Sequence, residues 1–280
     1  MTSKERILLI DCPDEKGLIY KISGVLYDHK LNIVSNQEYV DPVSDHFFMR
    51  SAFEGTEAAE QVLSDLEEVL PDQANIRLAS NGKRSVVVLA TKEPHCLGDL
   101  LLRNAYDEFP ADISAVISNH NYLEPLARSF EIPFHHISHE NLEREEHEEK
   151  ILNTLAPYNP AYLVLAKYMR VFTSSFVKRF PNRMINIHHS FLPAFVGASP
   201  YRQAFERGVK IIGATAHFVT DDLDEGQIIA QDVIPVNHTY TASDMANAGR
   251  DVEKIVLSKA LKLVLEEKVF IFQNRTVVFE

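Results

Sequence analysis

The chain has 280 residues, more than the usual single-domain size of about 100 to 200, which predicts two domains. A hydrophobic content of 45% and a charged content of 24% are typical of globular proteins and exclude a wholly disordered chain. The formal net charge of −12 disfavours nucleic acid as a partner, because affinity for phosphates comes mainly from lysine and arginine.

The cysteine content and the N-terminus bear on the cellular compartment. The chain has only two cysteines, Cys12 and Cys96, and its first residues lack the length and the cleavage site of a signal peptide. Its apolar runs stay well below the roughly 18 to 20 residues that cross a bilayer. We therefore expect a cytoplasmic protein that has no membrane partner.

The first 80 residues alternate between strand and helix patterns. A short apolar strand from Arg6 is followed by a turn and by apolar residues at helical spacing. A second amphipathic helix lies before the last of three further predicted strands, which cover 31–40, 46–53 and 75–79. The order βαββαβ predicts a ferredoxin-like domain over 1–80, followed by a polar linker over 81–84.

The first turn of this domain carries a candidate binding site. The segment Asp14-Glu15-Lys16-Gly17-Leu18 resembles the turn of ACT domains, which bind small amino acids. Gly17 permits a backbone angle or a close approach that a Cβ would block, and free N–H groups at the helix start can hold a carboxylate. The resemblance implies a regulatory amino-acid site at Asp14, Gly17 and Asn32, and a homo-oligomer in which these domains pair. The alternative is that Gly17 only tightens the turn.

Residues 85–280 have the pattern of an α/β domain. A continuous valine and leucine run opens the domain and predicts a strand buried on both faces. Further strands alternate with helices near 122–130, 143–156 and 172–179, which indicates a Rossmann-like, mostly parallel sheet; the strands are predicted over 113–117, 134–137, 162–165 and 184–187. The first strand-to-helix turn carries neither GxGxxG nor GxxxxGK[ST], which excludes a dinucleotide enzyme and a P-loop enzyme. A long helix over 243–267 is predicted to pack in the core or an interface.

Two segments of this domain carry polar side chains where chemistry is expected. Asn186 and His188 lie at the end of a buried strand, the position where open α/β sheets bind ligands. Each residue alone is also consistent with a hydrogen-bonded strand end or a packed histidine. The acidic loop 221–226 joins two later strands and could be a solvated turn, a calcium loop or the source of a catalytic acid. Its spacing does not fit an EF-hand.

Together these segments resemble a known family. The stretches Asn186-Ile187-His188-His189-Ser190-Phe191-Leu192-Pro193 and His217-Phe218-Val219-Thr220-Asp221-Asp222-Leu223-Asp224-Glu225-Gly226 are similar to motifs of the folate-dependent formyltransferases. An ACT-like domain ahead of that fold resembles the deformylase branch, which hydrolyses 10-formyltetrahydrofolate to formate and tetrahydrofolate. The resemblance covers essentially the whole chain and implies that Asn186, His188 and Asp224 are catalytic. His189 departs from many transferases, which have proline after the catalytic histidine.

The same resemblance implies how the substrate binds. The folate pocket would be formed by two segments, with the residues Met169, Arg170, Val171, Phe172, Val219, Thr220 and Asp221. The substrate would be 10-formyltetrahydrofolate, the acceptor water, and no further cofactor is expected. Formate released in this way would supply purine synthesis and balance the one-carbon folate pool.

The proposed roles are consistent with the chemistry of formyl transfer. Attack on an N-formyl carbon places negative charge on its oxygen, which an amide donor such as Asn186 and an imidazolium such as His188 can stabilise. A carboxylate such as Asp224 favours the charged imidazole and can orient water. No metal is expected, because His135, His136 and His139 lack the spacing of a zinc motif.

Two other functions remain open at this point. The first is transfer of the formyl group to a small acceptor such as glycinamide ribonucleotide. The chain lacks the glycine-rich Ser-Asn phosphate loop of such transferases and has Thr91-Lys92-Glu93-Pro94-His95-Cys96 instead, which favours water. The second is a non-catalytic regulator that only binds metabolites, which would not require Asn186, His188 and Asp224 together.

Overall fold

The computed structural model describes residues 5–55, 59–80, 82–194 and 200–280. These residues form two compact units that divide between Gly82 and Lys83. The division lies within the predicted linker 81–84, of which Asn81 is outside the described residues.

Two short C-terminal stretches group with the first unit. The first unit consists of the chain up to Gly82 together with Glu266–Phe270 and Val278–Glu280. The second unit consists of Lys83–Leu265 and Ile271–Val277. The domain prediction assigned the whole C-terminus to the second domain, because a sequence pattern does not report contacts between distant parts of a chain.

The first unit has the predicted βαββαβ order. Its elements are β1 (Arg6–Pro13), α1 (Leu18–Asp28), β2 (Asn32–Asp41), β3 (His46–Glu54), α2 (Ala59–Val69) and β4 (Asn75–Ser80). The strands form an antiparallel sheet in the order β2-β3-β1-β4. Apolar residues of α1 and α2 pack with those of the sheet in one core, which includes Leu8, Ile10, Leu18, Ile22, Leu26, Met49, Phe53 and Leu66.

The second unit alternates strands and helices along the chain. Its elements are β5 (Arg84–Ala90), α3 (Pro94–Ala105), β6 (Ala111–Ser118), α4 (Glu124–Ser129), β7 (Phe134–His136), α5 (Arg144–Leu155), β8 (Tyr162–Ala166), α6 (Ser174–Val177), β9 (Met184–His188), α7 (Pro200–Arg207), β10 (Ile211–Phe218), β11 (Ile228–Pro235) and α8 (Ala242–Leu265). A hairpin of β12 (Val269–Phe272) and β13 (Arg275–Val278) follows. The predicted fold class, a ferredoxin-like unit followed by a Rossmann-like α/β unit, is confirmed.

The large sheet of the second unit has the strand order β11-β10-β9-β8-β5-β6-β7. Strands β5 to β9 pair in parallel, whereas β10 is antiparallel to both β9 and β11. The central strands are buried on both faces, as in the stretch Val86–Ala90. The carboxyl ends of β5, β6, β8 and β9 therefore meet at one edge of the sheet, where open α/β sheets bind ligands.

The helices of the described residues also bear on membrane association. The longest of them, α8, carries alternating buried and charged positions along Ala242–Leu265. None of the described helices combines the length and the apolar character that crossing a membrane requires.

Candidate active site

The site begins at the carboxyl end of β9. Asn186 and His188 are two residues apart, so their side chains leave the strand on the same face. The antiparallel neighbour β10 places His217 opposite Asn186 and Thr215 opposite His188. Two strands that run in opposite directions thus bring four polar residues to the same edge of the sheet.

The loop after β10 carries Asp224 back to this edge. Asp224 itself adopts a left-handed backbone conformation, with φ of 59°. Gly226 lies so close to β10 that a Cβ there would be 1.7 Å from the carbonyl oxygen of Phe218. The loop can therefore pack against β10 only with glycine at that position, and this packing holds the Asp224 carboxylate at the site.

Asp224 contacts two histidines. Its Oδ1 atom lies 3.2 Å from Nδ1 of His188 and 3.7 Å from Nε2 of His217. Burial alone would raise the pKa of Asp224, but the hydrogen bond from His188 and the contact with the His217 ring outweigh burial and hold the pKa below its ordinary value. The carboxylate is therefore charged throughout the neutral range.

The partners of His217 define its orientation. Its Nδ1 lies 2.7 Å from the carbonyl oxygen of Phe218, which can only accept, so Nδ1 carries the proton. The amide Nδ2 of Asn186 lies 3.2 Å from Nε2 of the same ring. This assignment follows from the hydrogen-bond partners and makes His217 the residue that fixes the Asn186 side chain.

One buried polar atom of the site is left without a protein partner. His188 is only 6% exposed, and its Nε2 has no hydrogen-bond partner among the described residues. A buried polar group of this kind costs free energy unless a water or a ligand completes it. Since Asp224 holds Nδ1, Nε2 is the atom of His188 that is available to a substrate or a water molecule.

The loop that follows β9 is held by a buried threonine. Thr215 donates its hydroxyl to the carbonyl oxygen of Ser190 at 2.9 Å and accepts from the backbone N–H of Leu192 at 3.0 Å. Gln231 donates to the same hydroxyl and to the carbonyl oxygen of Leu192. The chain that leaves His188 is therefore fixed by β10 and β11, although no sequence motif identified Thr215 or Gln231.

The residues predicted to bind folate lie in two places. Met169 and Val171 are 62% and 50% exposed, which is unusual for large apolar side chains, and Arg170 between them is half-buried. Phe172 stacks on Tyr168 and on Phe176, with ring centroids 5.3 Å and 4.2 Å apart.

The second predicted folate segment follows β10. Val219 packs against the same apolar cluster as Phe172, and its N–H donates to the carbonyl oxygen of Met184. Thr220 donates its hydroxyl to the carbonyl oxygen of Asp222, and Asp221 pairs with Lys178 at 3.3 Å. The structure thus joins Phe172 and Val219, while Met169, Val171 and Asp221 lie at the surface.

Sequence reasoning missed a buried polar network centred on Glu253. This glutamate of α8 is 1% exposed, accepts from the Tyr201 hydroxyl at 2.6 Å, and lies 2.7 Å from Nε2 of His95 and 3.3 Å from Nζ of Lys167. Burial alone would raise the pKa of Glu253, but these contacts lower it to about 2. The only sign of this network in the sequence is one glutamate, Glu253, among the apolar residues of a predicted helix.

This network extends toward His188 through the ring of His189. The ring of His189 lies 6.1 Å from that of Tyr201 and 5.2 Å from that of His188, between centroids. Burial and the Lys167 cation lower the pKa of His189 to about 4, so this ring stays neutral near pH 7.

One group of the described residues has the composition of a metal site. His95, Cys96 and Glu253 bring their ligand atoms within 4.8 Å of one another. However, Lys167 already neutralises Glu253, and burial raises the pKa of the Cys96 thiol, so this group is poorly suited to a metal cation. Of the histidines considered for zinc, His135 contacts Tyr158 and His139 contacts Asn119, and neither belongs to the candidate metal group found among the described residues.

The three predicted regulatory residues lie on the surface of the first unit. Gly17 precedes α1 with φ of 93°, and a Cβ there would meet no atom within 4 Å. Glycine at position 17 is therefore explained by the left-handed backbone angle and not by the close approach of another atom. Asn32 lines a depression of about 800 Å³ between α1 and the start of β2, whereas Asp14 and Gly17 are not among its lining residues.

Comparison with known proteins agrees with this architecture. The sequence profile described as formyl transferase matches residues 84–261, and the profile described as ACT domain matches residues 6–71. The formyltetrahydrofolate deformylase of Haemophilus influenzae is 54% identical over 98% of this chain and 99% of that protein.

Solved structures give the same relationship. The crystal structure of a formyltetrahydrofolate deformylase from Pseudomonas syringae pv. tomato matches with a TM-score of 0.95 and 37% identity, over 100% of this chain and 96% of that chain. Glycinamide ribonucleotide transformylase 1 from Symbiobacterium toebii matches with a TM-score of 0.68 and 31% identity, over 71% of this chain and 95% of that chain. The similarity to the transformylase is therefore partial, whereas the similarity to the deformylases extends over the whole chain.

Proposed function

Because the chain belongs to the formyltetrahydrofolate deformylases, a family of hydrolases, we propose that it hydrolyses 10-formyltetrahydrofolate to formate and tetrahydrofolate. The catalytic groups are Asn186, His188 and Asp224. The observation that carries this assignment is the buried Nε2 of His188, which lacks a partner among the described residues while Asp224 holds the other ring nitrogen.

In the proposed reaction, water attacks the formyl carbon. A carbon–oxygen bond forms, and the bond between this carbon and the amine nitrogen of tetrahydrofolate breaks. His188 takes one proton from the attacking water and delivers it to the departing amine nitrogen, and the second proton is released with formate. Asp224, 3.2 Å from Nδ1 of His188, keeps that nitrogen protonated and stabilises the imidazolium that forms during the transfer.

Asn186 acts on the developing charge. Its amide group has two N–H donors, of which one is directed to Nε2 of His217, 3.2 Å away. The second remains for the formyl oxygen as it becomes an oxyanion. His217 thereby serves as a positioning residue, since its hydrogen bond to the carbonyl oxygen of Phe218 fixes the ring that orients Asn186.

The folate portion is proposed to bind along the two segments after β8 and β10. The exposed side chains of Met169 and Val171 supply apolar surface for the pterin, beside the aromatic stack that contains Phe172. Other contacts come from backbone and polar groups in these segments, at Arg170, Val219, Thr220 and Asp221. No cofactor takes part, since 10-formyltetrahydrofolate is itself the source of the formyl group.

The first unit is proposed to bind a regulatory amino acid near Asp14, Gly17 and Asn32. The free N–H groups at the start of α1 and the left-handed Gly17 support carboxylate binding at this turn. The edge strand β2 is exposed along most of its length and displays Val34, Tyr39 and Val40, which supports pairing in a homo-oligomer. Formate from this enzyme would supply purine synthesis.

An assay of formate tests the proposed reaction. The purified chain is incubated with 10-formyltetrahydrofolate, with and without glycinamide ribonucleotide, and formate and tetrahydrofolate are quantified. We expect equal amounts of the two products whether or not the amine is present. Formation of a formylated ribonucleotide in place of formate would favour the transferase alternative, and release of neither product would favour a binding protein.

A further inference from the structure

The residue after β8 combines two unfavourable features. Lys167 has φ of 61°, in the left-handed region that favours glycine, and its side chain is only 9% exposed. Lysine is rarely buried without a partner, and strained backbone of this kind persists where its surroundings hold it, often at functional sites. Lys167 lies in the sequence segment that resembles the folate pocket of the family, but it was not among the residues predicted to bind folate, which begin at Met169.

The strand order places Lys167 near the strand end that carries His188. Leu165 of β8 pairs with Asn186 of the parallel neighbour β9; Lys167 follows Leu165 by two residues, and His188 follows Asn186 by two. On its other side, β5 pairs Ala90 with Ala166, which brings Thr91 level with Lys167. Lys167 therefore lies at the edge of the sheet between the first strand-to-helix turn and His188.

The side chain of Lys167 completes the buried network described above. Its Nζ lies 3.3 Å from Oε2 of Glu253, which also contacts His95 and Tyr201. The Glu253 carboxylate therefore contacts three side chains of the protein, those of Lys167, His95 and Tyr201. This charged, closely packed group lies on the α8 side of the site, and the ring of His189 is near both Tyr201 of the group and His188.

We propose that Lys167, paired with Glu253, restricts the formyl acceptor to water by occupying the space through which an amine acceptor would approach the formyl carbon. The inference rests on the proposed function and names the feature that makes this site hydrolytic. Water needs no binding pocket of its own, whereas an amine acceptor requires space that the Lys167 side chain fills.

The two reactions differ only in the bond that forms. In hydrolysis, the formyl carbon bonds to the oxygen of water. In transfer, it bonds to the nitrogen of the acceptor, and the proton that this nitrogen loses passes through His188 to the amine nitrogen of tetrahydrofolate. The catalytic groups are the same in both, so access to the formyl carbon decides the acceptor.

The Lys167→Gly variant tests the proposal, because glycine suits the left-handed backbone and removes the whole side chain. Wild type and variant are incubated with 10-formyltetrahydrofolate and either glycinamide or glycinamide ribonucleotide, and formate and N-formyl product are quantified by mass spectrometry. We expect the ratio of N-formyl product to formate to rise at least about tenfold in the variant, the scale of discrimination that a filled pocket provides.

A second variant addresses the charge left behind. Lys167→Gly leaves the Glu253 carboxylate buried without its cation, which can unfold the protein. In the double variant Lys167→Gly/Glu253→Gln no buried charge is unpaired and the same space is open, so the same gain of transfer is expected. The matched control is Lys30→Gly, an exposed lysine with φ of 55° in the first unit, which should leave the product ratio unchanged.

The outcomes separate this inference from the proposed function. If wild type releases no formate, the proposed function fails. If wild type releases formate and the folded variants show an unchanged product ratio, or lose both reactions, the role of Lys167 is wrong. Failure of both variants to fold, judged by thermal unfolding, would make Lys167 a structural residue and would also overturn the proposal.

Discussion

At the scale of single residues, Asp224 determines which ring nitrogen of His188 lacks a partner among the described residues. Its carboxylate stays charged because the hydrogen bond from His188 and the contact with the His217 ring outweigh the effect of burial on its pKa. It occupies Nδ1 of His188, so Nε2 of the same ring is left for substrate. Asp224, a single loop residue, therefore determines which nitrogen of the His188 ring is left for a ligand.

The first prediction concerns His188 and Asp224. His188→Ala and Asp224→Asn should each lower kcat for formate release at least about a hundredfold, the usual scale for the loss of an acid–base group or of the residue that orients it. His238→Ala, which changes an exposed histidine of the same unit, is the control. Near-normal turnover in a variant with unchanged thermal unfolding would exclude that residue from the mechanism.

The second prediction concerns Asn186. If its amide stabilises the oxyanion, Asn186→Ala should lower kcat and leave KM nearly unchanged, because the interaction forms only in the transition state. Steady-state kinetics at several concentrations of 10-formyltetrahydrofolate measure the two constants. Asn153→Ala on the exposed side of α5 is the control, and an effect confined to KM would assign Asn186 to substrate binding instead.

The third prediction concerns stability and pH. The folded-state pKa of Asp224 is lowered, so its carboxylate contributes stability that is fully present above the unfolded pKa of about 4 and is lost as pH falls through the folded value. The Tm of wild type should therefore exceed the Tm of Asp224→Asn by the largest margin near pH 7. This margin should shrink toward pH 3. A difference that grows as pH falls would contradict the assigned contacts of Asp224.

Some of these residues could be identified from sequence motifs, whereas others could be identified only from contacts in the structure. Asn186, His188 and Asp224 stand in two segments that resemble family motifs, so they could be proposed from the sequence. Glu253 and Lys167 lie far apart in the sequence. Only the fold brings these two residues into contact, through the pairing of β8 with β9 and the packing of α8. His217 is visible in the sequence, but its role depends on the register between β9 and β10.

At the scale of elements, the loop between β10 and β11 is held by close backbone contact. Gly226 permits this contact, because any Cβ there would overlap the carbonyl oxygen of Phe218 at 1.7 Å and approach Nδ1 of His217. The position of Asp224, two residues earlier, depends on the same packing. The acidic loop is thus a largely exposed turn that also holds one carboxylate, Asp224, at the site.

The fourth prediction tests this support. Gly226→Ala should displace the loop and lower kcat at least about tenfold, because small displacements of catalytic groups are costly. Gly98→Ala is the matched control, since a Cβ there meets only Leu126, at 3.8 Å, and alanine in the middle of a helix is favoured by about 1 kcal/mol over glycine. Equal activity of the two variants would show that the loop tolerates the extra carbon.

The elements themselves were predicted to different extents. The alternation of strands and helices follows from apolar periodicity, and the order βαββαβ and the mostly parallel sheet were predicted correctly. The helix predicted near 172–179 covers only Ser174–Val177, and its start is set by Thr173, whose side chain caps it by accepting from the N–H of Phe176. The hairpin of β12 and β13 was not predicted, since its two strands have only four residues each.

At the scale of the whole molecule, the fifth prediction concerns amino-acid regulation. Because Glu266–Phe270 and Val278–Glu280 belong to the first unit, deletion of residues 1–82 would expose them, and point variants of the full chain are a cleaner test. A panel of amino acids should include one that changes the apparent kinetics of wild type. Asp14→Ala and Asn32→Ala should weaken that response and retain basal kcat. A response that survives in both variants would place the ligand elsewhere.

Water is proposed as the acceptor of the formyl group at His188, and hydrolysis in oxygen-18 water tests this proposal. Each formate should carry one oxygen from the formyl group and one from water, with an equal amount of tetrahydrofolate, and His188→Ala should lose this labelled product. Mass spectrometry of formate gives the result. Formate without the label, labelled formate undiminished in His188→Ala, or a formyl group recovered on an added amine in wild type would contradict the account.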